Sequence, residues 1–125
     1  MVVDSSSVIA ILHREPEREL FLQKLSLAKV KLISAASYVE MSTVSMARSS
    51  FAELDELLQA LRIKVVPFDT EQALLAREAY KRYGKGRDKA GLNLGDCFSY
   101  ALAKQTGQPI LFKGNDFSET DLPAA

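Results

Sequence analysis

Short aliphatic runs alternate with stretches of helical periodicity along the 125 residues of the chain. Apolar residues that recur at three- and four-residue spacing predict helices, whereas brief β-branched or aliphatic runs predict strands. The predicted strands cover residues 1–3, 31–34, 63–68 and 109–112. The first predicted helix carries Val8 to Leu12 and is capped by the serines at 5–7, the second has Pro16 in its first turn, and the others cover 35–49, 51–61, 70–84 and 94–106. Alternating strands and helices are typical of parallel sheets with right-handed crossovers. The pattern therefore predicts an α/β fold, a three-layer sandwich around a mostly parallel central sheet.

Composition predicts one domain over residues 1–125, because a chain of this length closes around one core. The longest stretch without a charged residue has nine residues, Ser5 to His13, far short of the roughly 18 that span a bilayer. We therefore expect no membrane segment. An acid at position 4 argues against a secretory signal, and the single Cys97 cannot form an internal disulfide. The cytoplasm is the expected location.

Four acidic residues occur near predicted strand ends or helix starts. Asp4 follows the first strand directly, and Asp116 comes within four residues of the last one. Glu40 lies on an apolar face of the helix after the second strand, and Asp96 lies in the first turn of the helix that begins at Leu94. Because ligands gather beyond the carboxyl ends of parallel strands, the four carboxylates are expected to converge there.

Converging carboxylates need a counter-charge. No Lys or Arg lies one helical turn from Glu40, so a divalent cation is the simplest remedy, and oxygen ligands suit Mg²⁺ or Mn²⁺. Zinc is a poorer choice, because Cys97 and His13 belong to no ligand motif. Such a metal serves phosphoryl or phosphodiester chemistry. Each acid also has an ordinary explanation, as a helix cap, a helix-start acid or a turn residue.

The net charge of zero hides a basic segment between Arg77 and Lys89, where six basic residues face two acidic ones, a local excess of +4. Tyr80 and Tyr83 are interleaved with these charges as possible stacking partners for bases. The alternative is a solvated helix end whose cations are favoured by the helix dipole. Because the segment leads into Asp96, we take its basic residues as candidates for RNA binding: Lys81, Arg82, Lys85, Arg87 and Lys89.

These residues resemble the PIN-domain ribonucleases, and most closely the VapC toxins of bacterial type II toxin–antitoxin pairs. Four stretches carry the resemblance: Val2-Val3-Asp4-Ser5-Ser6, Ser37-Tyr38-Val39-Glu40, the helix from Leu94 to Ala103, and Leu111 to Phe117. The resemblance implies that Asp4, Asp96 and Asp116 hold Mg²⁺ or Mn²⁺. It also implies that Glu40 and Asp116 act in catalysis and that Ser6 and Asn115 support the acids. Where many relatives have a further Ser or Thr and an acid, this chain reads Phe112, Gly114 and Asn115, so Asp121 is an alternative to Asp116.

The implied activity is endonucleolytic cleavage of RNA by a metal-activated water, with a homodimer and an antitoxin as partners. Two other functions stay open at this point. One is an inactive PIN-like binding module, although all four acids are present. The other is a phosphoacceptor signalling domain, which normally places adjacent acids after its first strand and an Asp at the end of its central strand; here Asp4 stands alone and Asp55 lies in a Leu-rich helix.

Overall fold

Four short parallel strands form the central sheet of the computed structural model, which describes residues 1–125. Their order across the sheet is β3-β2-β1-β4, and their bounds are β1 (Val2–Val3), β2 (Leu32–Ser34), β3 (Lys64–Val66) and β4 (Ile110–Leu111). Val2 of β1 is in register with Leu32 of β2 on one side and with Ile110 of β4 on the other. The predicted α/β class is confirmed, and every strand pair is parallel.

Six α-helices and one short 3₁₀ helix complete the chain. Their bounds are α1 (Ser5–Leu12), α2 (Arg18–Leu27), α3 (Ala35–Ser45), α4 (Phe51–Ala60), α5 (Thr70–Tyr83), α6 (Leu94–Thr106) and the 3₁₀ helix Asp116–Glu119. The longest of them, α5, has 14 residues, and no helix is both long and apolar enough to cross a membrane.

The sheet separates two hydrophobic cores, because successive strand residues point to opposite faces. Val3 and Leu111 pack with α1 to α4 on one face, whereas Val2 and Ile110 pack with α5 and α6 on the other. This arrangement gives the three layers predicted from the sequence. It also sends all four strand ends to one edge of the sheet, where the acidic residues follow.

Several predicted element ends were wrong, each for a local reason. The helix predicted to reach about Ser49 ends at Ser45, where the chain enters a turn in which the N–H groups of Arg48 and Ser49 both bond to the Ser45 carbonyl. Strand β3 stops at Val66, because Pro67 has no N–H to donate to a neighbouring strand.

The start of one helix and the capping residue of another also differ from the prediction. The second helix begins at Arg18 rather than in the turn containing Pro16. Helix α5 is capped by Asp69, whose Oδ1 accepts the N–H of Gln72 at 2.9 Å, rather than by Thr70 with Glu71.

Candidate active site

Asp4 is the most strongly held acid at the carboxyl edge of the sheet. It follows β1 directly and is only 3% exposed. Its Oδ2 accepts the backbone N–H of Ser6 at 3.1 Å and the Ser6 hydroxyl at 2.6 Å, which caps α1. Its Oδ1 accepts the hydroxyl of Ser99 from α6 at 2.5 Å. Asp4 therefore caps α1, and both of its carboxylate oxygens are held, one by Ser6 and the other by Ser99.

Asp96 lies in the first turn of α6 and is 9% exposed. It forms a capping box with Asn93: Asp96 Oδ2 accepts the Asn93 N–H at 3.1 Å, and Asn93 Oδ1 accepts the Asp96 N–H at 2.9 Å. The capping bond takes up one carboxylate oxygen and orients the other. Burial raises the pKa of Asp96 to about 8, and the neighbouring carboxyl group of Asp116 adds to this rise.

Glu40 is half-buried on α3 and lies against the start of α6. Its Oε1 is 3.4 Å from the Ser5 hydroxyl, which donates to it. The carboxylate fills the space above Gly95, where an added Cβ would stand 2.0 Å from Glu40 Oε2. Only glycine at position 95 leaves room for Glu40 in this position.

Asp116 begins the exposed 3₁₀ helix after β4, and Asp121 lies in a different environment. Asp121 accepts the Tyr100 hydroxyl at 2.6 Å and the Lys104 ammonium at 2.9 Å. Burial would raise the pKa of Asp121, but these two hydrogen bonds outweigh it and lower the pKa. The geometry therefore favours Asp116 over Asp121 as the fourth acid of the site.

Burial, with repulsion between carboxylates added to it, governs the electrostatics of the three acids Asp4, Glu40 and Asp96. Burial is the main cause that raises the pKa of Asp4, Glu40 and Asp96, and a neighbouring carboxylate adds to it in each case. None of the four acids forms an ion pair. Lys113, the nearest basic residue in sequence to Asp116, pairs instead with Glu15 at 2.9 Å and Glu17 at 3.3 Å.

The donor set fits a hard divalent cation. No three acidic, His or Cys side chains are arranged to hold a metal ion as the side chains stand. The donors are nevertheless all carboxylates, two of them are buried without a cationic partner, and oxygen ligands of this kind are those that Mg²⁺ and Mn²⁺ prefer. A cation between Asp4 and its neighbours would offset the repulsion that no Lys or Arg relieves.

The two predicted supporting residues behave differently. The Ser6 hydroxyl donates to Asp4 and accepts the N–H of Lys113 at 3.0 Å, so it ties the end of β1 to the segment after β4. The side chain of Asn115 makes no cap hydrogen bond at the 3₁₀ helix and is exposed. The structure thus gives Ser6 a supporting contact and gives Asn115 none.

The basic segment divides into paired and unpaired side chains. Arg82 lies 4.0 Å from Asp121 and stacks over Tyr83, and Lys89 pairs with Glu119 at 3.1 Å. Lys85 is exposed and forms no ion pair. Lys81 and Arg87 line a groove of about 730 Å³ between α5 and the start of α6, together with aromatic and apolar side chains: Phe68, Tyr80, Leu94 and Phe98. The groove is bordered by Leu94, two residues from Asp96.

Sequence reasoning missed Gly95, Ser37 and Ser99. Ser99 follows Asp96 by three residues and Ser37 precedes Glu40 by three, so each shares a helical face with an acid. Both serines are completely buried. A small polar residue one turn from a candidate acid, on a face that is otherwise apolar, is the signal that would have singled them out.

A parallel α/β sheet whose carboxyl edge bears four acids without ion pairs defines a class of protein whose donor set suits a hard cation and phosphate chemistry. Comparison with known proteins narrows this class. The PIN domain profile matches residues 1–122, so the chain belongs to the PIN domain family. This confirms the family predicted from the sequence.

The relatives agree over nearly the whole chain. A protein from Mycolicibacterium smegmatis named ribonuclease VapC is 49% identical over 127 residues, which cover 99% of this chain and 98% of the relative. The crystal structure of VapC20 from Mycobacterium tuberculosis, a toxin that cleaves the sarcin–ricin loop, superposes with a TM-score of 0.78 at 17% identity and covers 99% of this chain and 97% of that one. A toxin–antitoxin complex from Klebsiella pneumoniae contains a chain with a TM-score of 0.71 at 15% identity, with coverage of 96% and 92%.

Proposed function

We propose that this protein is a metal-dependent endoribonuclease that acts as the toxin of a type II toxin–antitoxin pair. The observation that carries the proposal is Asp4, a carboxylate that is 3% exposed, held on both oxygens and surrounded by further acids without a basic partner. The relatives named ribonucleases support an enzyme over an inactive binding module. A phosphoacceptor domain needs an Asp at the end of its central strand. Here Asp55 lies within α4 and accepts a hydrogen bond from Tyr38, which argues against that function.

Each acid has a distinct part in this proposal. Asp4, Asp96 and Asp116 hold Mg²⁺ or Mn²⁺, and a bound cation activates water as the nucleophile and neutralises charge on the phosphate. Glu40, half-buried beside Asp4, orients the attacking water and accepts its proton. The raised pKa of Glu40, caused mainly by burial and then by the charge of Asp4, makes it a stronger base than an exposed glutamate.

The groove beside Leu94 offers a path for the RNA strand. Lys81 and Arg87 on its walls supply positive charge for phosphates, and Tyr80 and Phe98 supply aromatic faces for bases. Lys85 is free to contribute, whereas Arg82 and Lys89 must first leave their acidic partners. We therefore rank Lys81, Lys85 and Arg87 above the other two as RNA contacts.

The proposal includes a homodimer, an antitoxin and a cytoplasmic location. The toxin–antitoxin complex among the structural neighbours supports a protein partner. The apolar faces of α1 and α4 are largely buried in the core. Exposed apolar side chains along α3, just after it and at the start of α4 remain available for contacts: Val39, Val44, Met46 and Phe51. Light scattering of the purified chain, alone and with the product of an adjacent short reading frame, tests both partners.

Cleavage of RNA by purified protein tests the activity itself. We expect cleavage with Mg²⁺ or Mn²⁺, none with EDTA, and loss of cleavage in Asp4→Asn and Asp96→Asn. Glu56→Gln is the matched control, because Glu56 is an exposed acid of α4 without an ion pair, and this variant should keep full activity. Full activity in both aspartate variants would exclude the proposed site, and equal loss in Glu56→Gln would point to a nonspecific effect.

A further inference from the structure

Ser99 makes the closest contact to the buried carboxylate of Asp4 from another helix. Its hydroxyl donates to Asp4 Oδ1 at 2.5 Å, and the residue is completely buried. Ser6 holds only the other oxygen, Oδ2. Without contacts, the Cβ–Cγ torsion angle of an aspartate varies over a broad range. A carboxylate that is held by only one oxygen can therefore still rotate about this bond. The bond from Ser99 removes that freedom.

The position of Ser99 on α6 links two acids of the site. Asp96 lies one helical turn before Ser99, on the same face of the helix. The hydrogen bond to Asp4 therefore ties the end of β1 to the helix that carries Asp96. Any movement of α6 that changes the distance between the two carboxylates must stretch this bond.

A second serine extends the contact to the element that carries Glu40. Ser37 Oγ lies 3.4 Å from Ser99 Oγ, and Ser37 is also completely buried. Ser99 has one hydroxyl proton, which it donates to ionised Asp4, so Ser37 must be the donor between the two serines. Because Ser37 lies one turn before Glu40 on α3, the chain Ser37–Ser99–Asp4 connects the three elements that bear acids.

We propose that Ser99 is a positioning residue that sets the Asp4 carboxylate relative to Asp96 for binding of a divalent cation, with Ser37 acting through it. The inference rests on the proposed function, because it takes Asp4 and Asp96 as the cation ligands. Groups that orient metal ligands typically change metal affinity or activity by about 10- to 100-fold when they are removed. A serine that merely fills space would change folding stability and leave cation affinity as it was.

Titration of the purified full chain with Mn²⁺ by calorimetry tests this proposal. We expect Ser99→Ala to raise the Kd for Mn²⁺ by about 10-fold or more, and Ser99→Thr, which keeps the hydroxyl, to recover most of the affinity. Ser7→Ala is the matched control: Ser7 is also a completely buried serine, but its hydroxyl has no hydrogen-bond partner. This control should bind Mn²⁺ like the parent chain.

A double-mutant cycle separates positioning from packing. Ser37→Ala should weaken Mn²⁺ binding in the parent chain but add nothing in the Ser99→Ala background, because Ser37 acts only through Ser99. Circular dichroism and thermal melts of each variant check that it folds. If Ser99→Ala melts earlier but keeps the parent Kd for Mn²⁺, the positioning role is overturned. If the parent chain neither binds Mn²⁺ nor cleaves RNA, the proposed function fails and this inference fails with it.

Discussion

The contact between Gly95 and Glu40 gives a prediction in which activity and stability change in opposite directions. Gly95→Ala would place a Cβ 2.0 Å from Oε2, 2.4 Å from Oε1 and 2.5 Å from Cδ of Glu40. Ordinary van der Waals contact begins at 3.4 Å, so the carboxylate must retreat by about 1.4 Å. Its side chain is long and half-buried, so we expect it to move toward solvent.

A displacement of this size is large for catalysis and small for folding. Misplacement of a catalytic group by about 1 Å costs on the order of 100-fold in rate. Alanine is favoured over glycine inside a helix by up to about 1 kcal/mol, and Gly95 has no positive φ that would oppose the change. We expect Gly95→Ala to lose about 100-fold in RNA cleavage while its melting temperature stays equal or rises.

Initial rates on a fluorogenic RNA with Mg²⁺, together with thermal melts, measure both quantities. Glu40→Ala supplies the control: in that background Gly95→Ala should cost no further activity, because the clashing carboxylate is gone. Parent-like cleavage by Gly95→Ala would refute the argument that Glu40 acts from its present position. A fall in stability of more than about 2 kcal/mol would refute the argument that only the carboxylate must move.

Three further predictions concern the fourth acid, the cation and the basic groove. Asp116→Asn should abolish cleavage without loss of stability, whereas Asp121→Asn should keep cleavage and lose on the order of 1 kcal/mol in urea unfolding at pH 7. Because the pKa of Asp121 is lowered in the folded chain, its contribution to stability is present above the unfolded value of about 3.9 and is lost as the pH falls through the folded pKa. Parent and Asp121→Asn should therefore converge in acid below the ordinary value. Saturating Mn²⁺, at about 100 times its Kd, should stabilise the parent chain by about 2.7 kcal/mol, and EDTA should reverse this; no shift would argue against a metal site. Neutralising both Lys81 and Arg87 should make the slope of log affinity for single-stranded RNA against log salt shallower by about 1.4. Lys89→Gln should change that slope less, because Glu119 already pairs with Lys89. Equal slopes in all variants would show that the basic segment is a solvated helix end and not an RNA contact.

The fold was predictable from local patterns in the chain. Residues 31–34 and 94–106 carry strand and helix periodicity in the sequence itself, and the strand-end rule then brings Asp4 and Asp116 to the same edge. Helix ends were less predictable, because they depend on single hydrogen bonds. Helix α3 ends early in a turn that closes on the Ser45 carbonyl, and Asp69, rather than Thr70 with Glu71, caps α5.

The candidate site was predictable in its residues but not in their partners. The family resemblance preferred Asp116 and kept Asp121, five positions later, as an alternative, whereas in space Asp121 is bound by Tyr100 and Lys104. The sequence shows the net positive charge between Arg77 and Lys89 but not which of these side chains are paired. That Lys89 is already paired with Glu119 depends on how the C-terminal segment packs against the loop.

The sequence by itself determined the class of fold, the order of its elements and the four acids at one edge of the sheet. Those properties follow from periodicity and from the geometry of parallel strands, which act over a few residues. Only the tertiary structure decided that Glu40 lies against Gly95, that Ser99 holds Asp4 and that Lys113 is drawn away by Glu15. Such contacts join elements up to 98 residues apart and depend on packing to within about 1 Å, a precision that no local pattern carries.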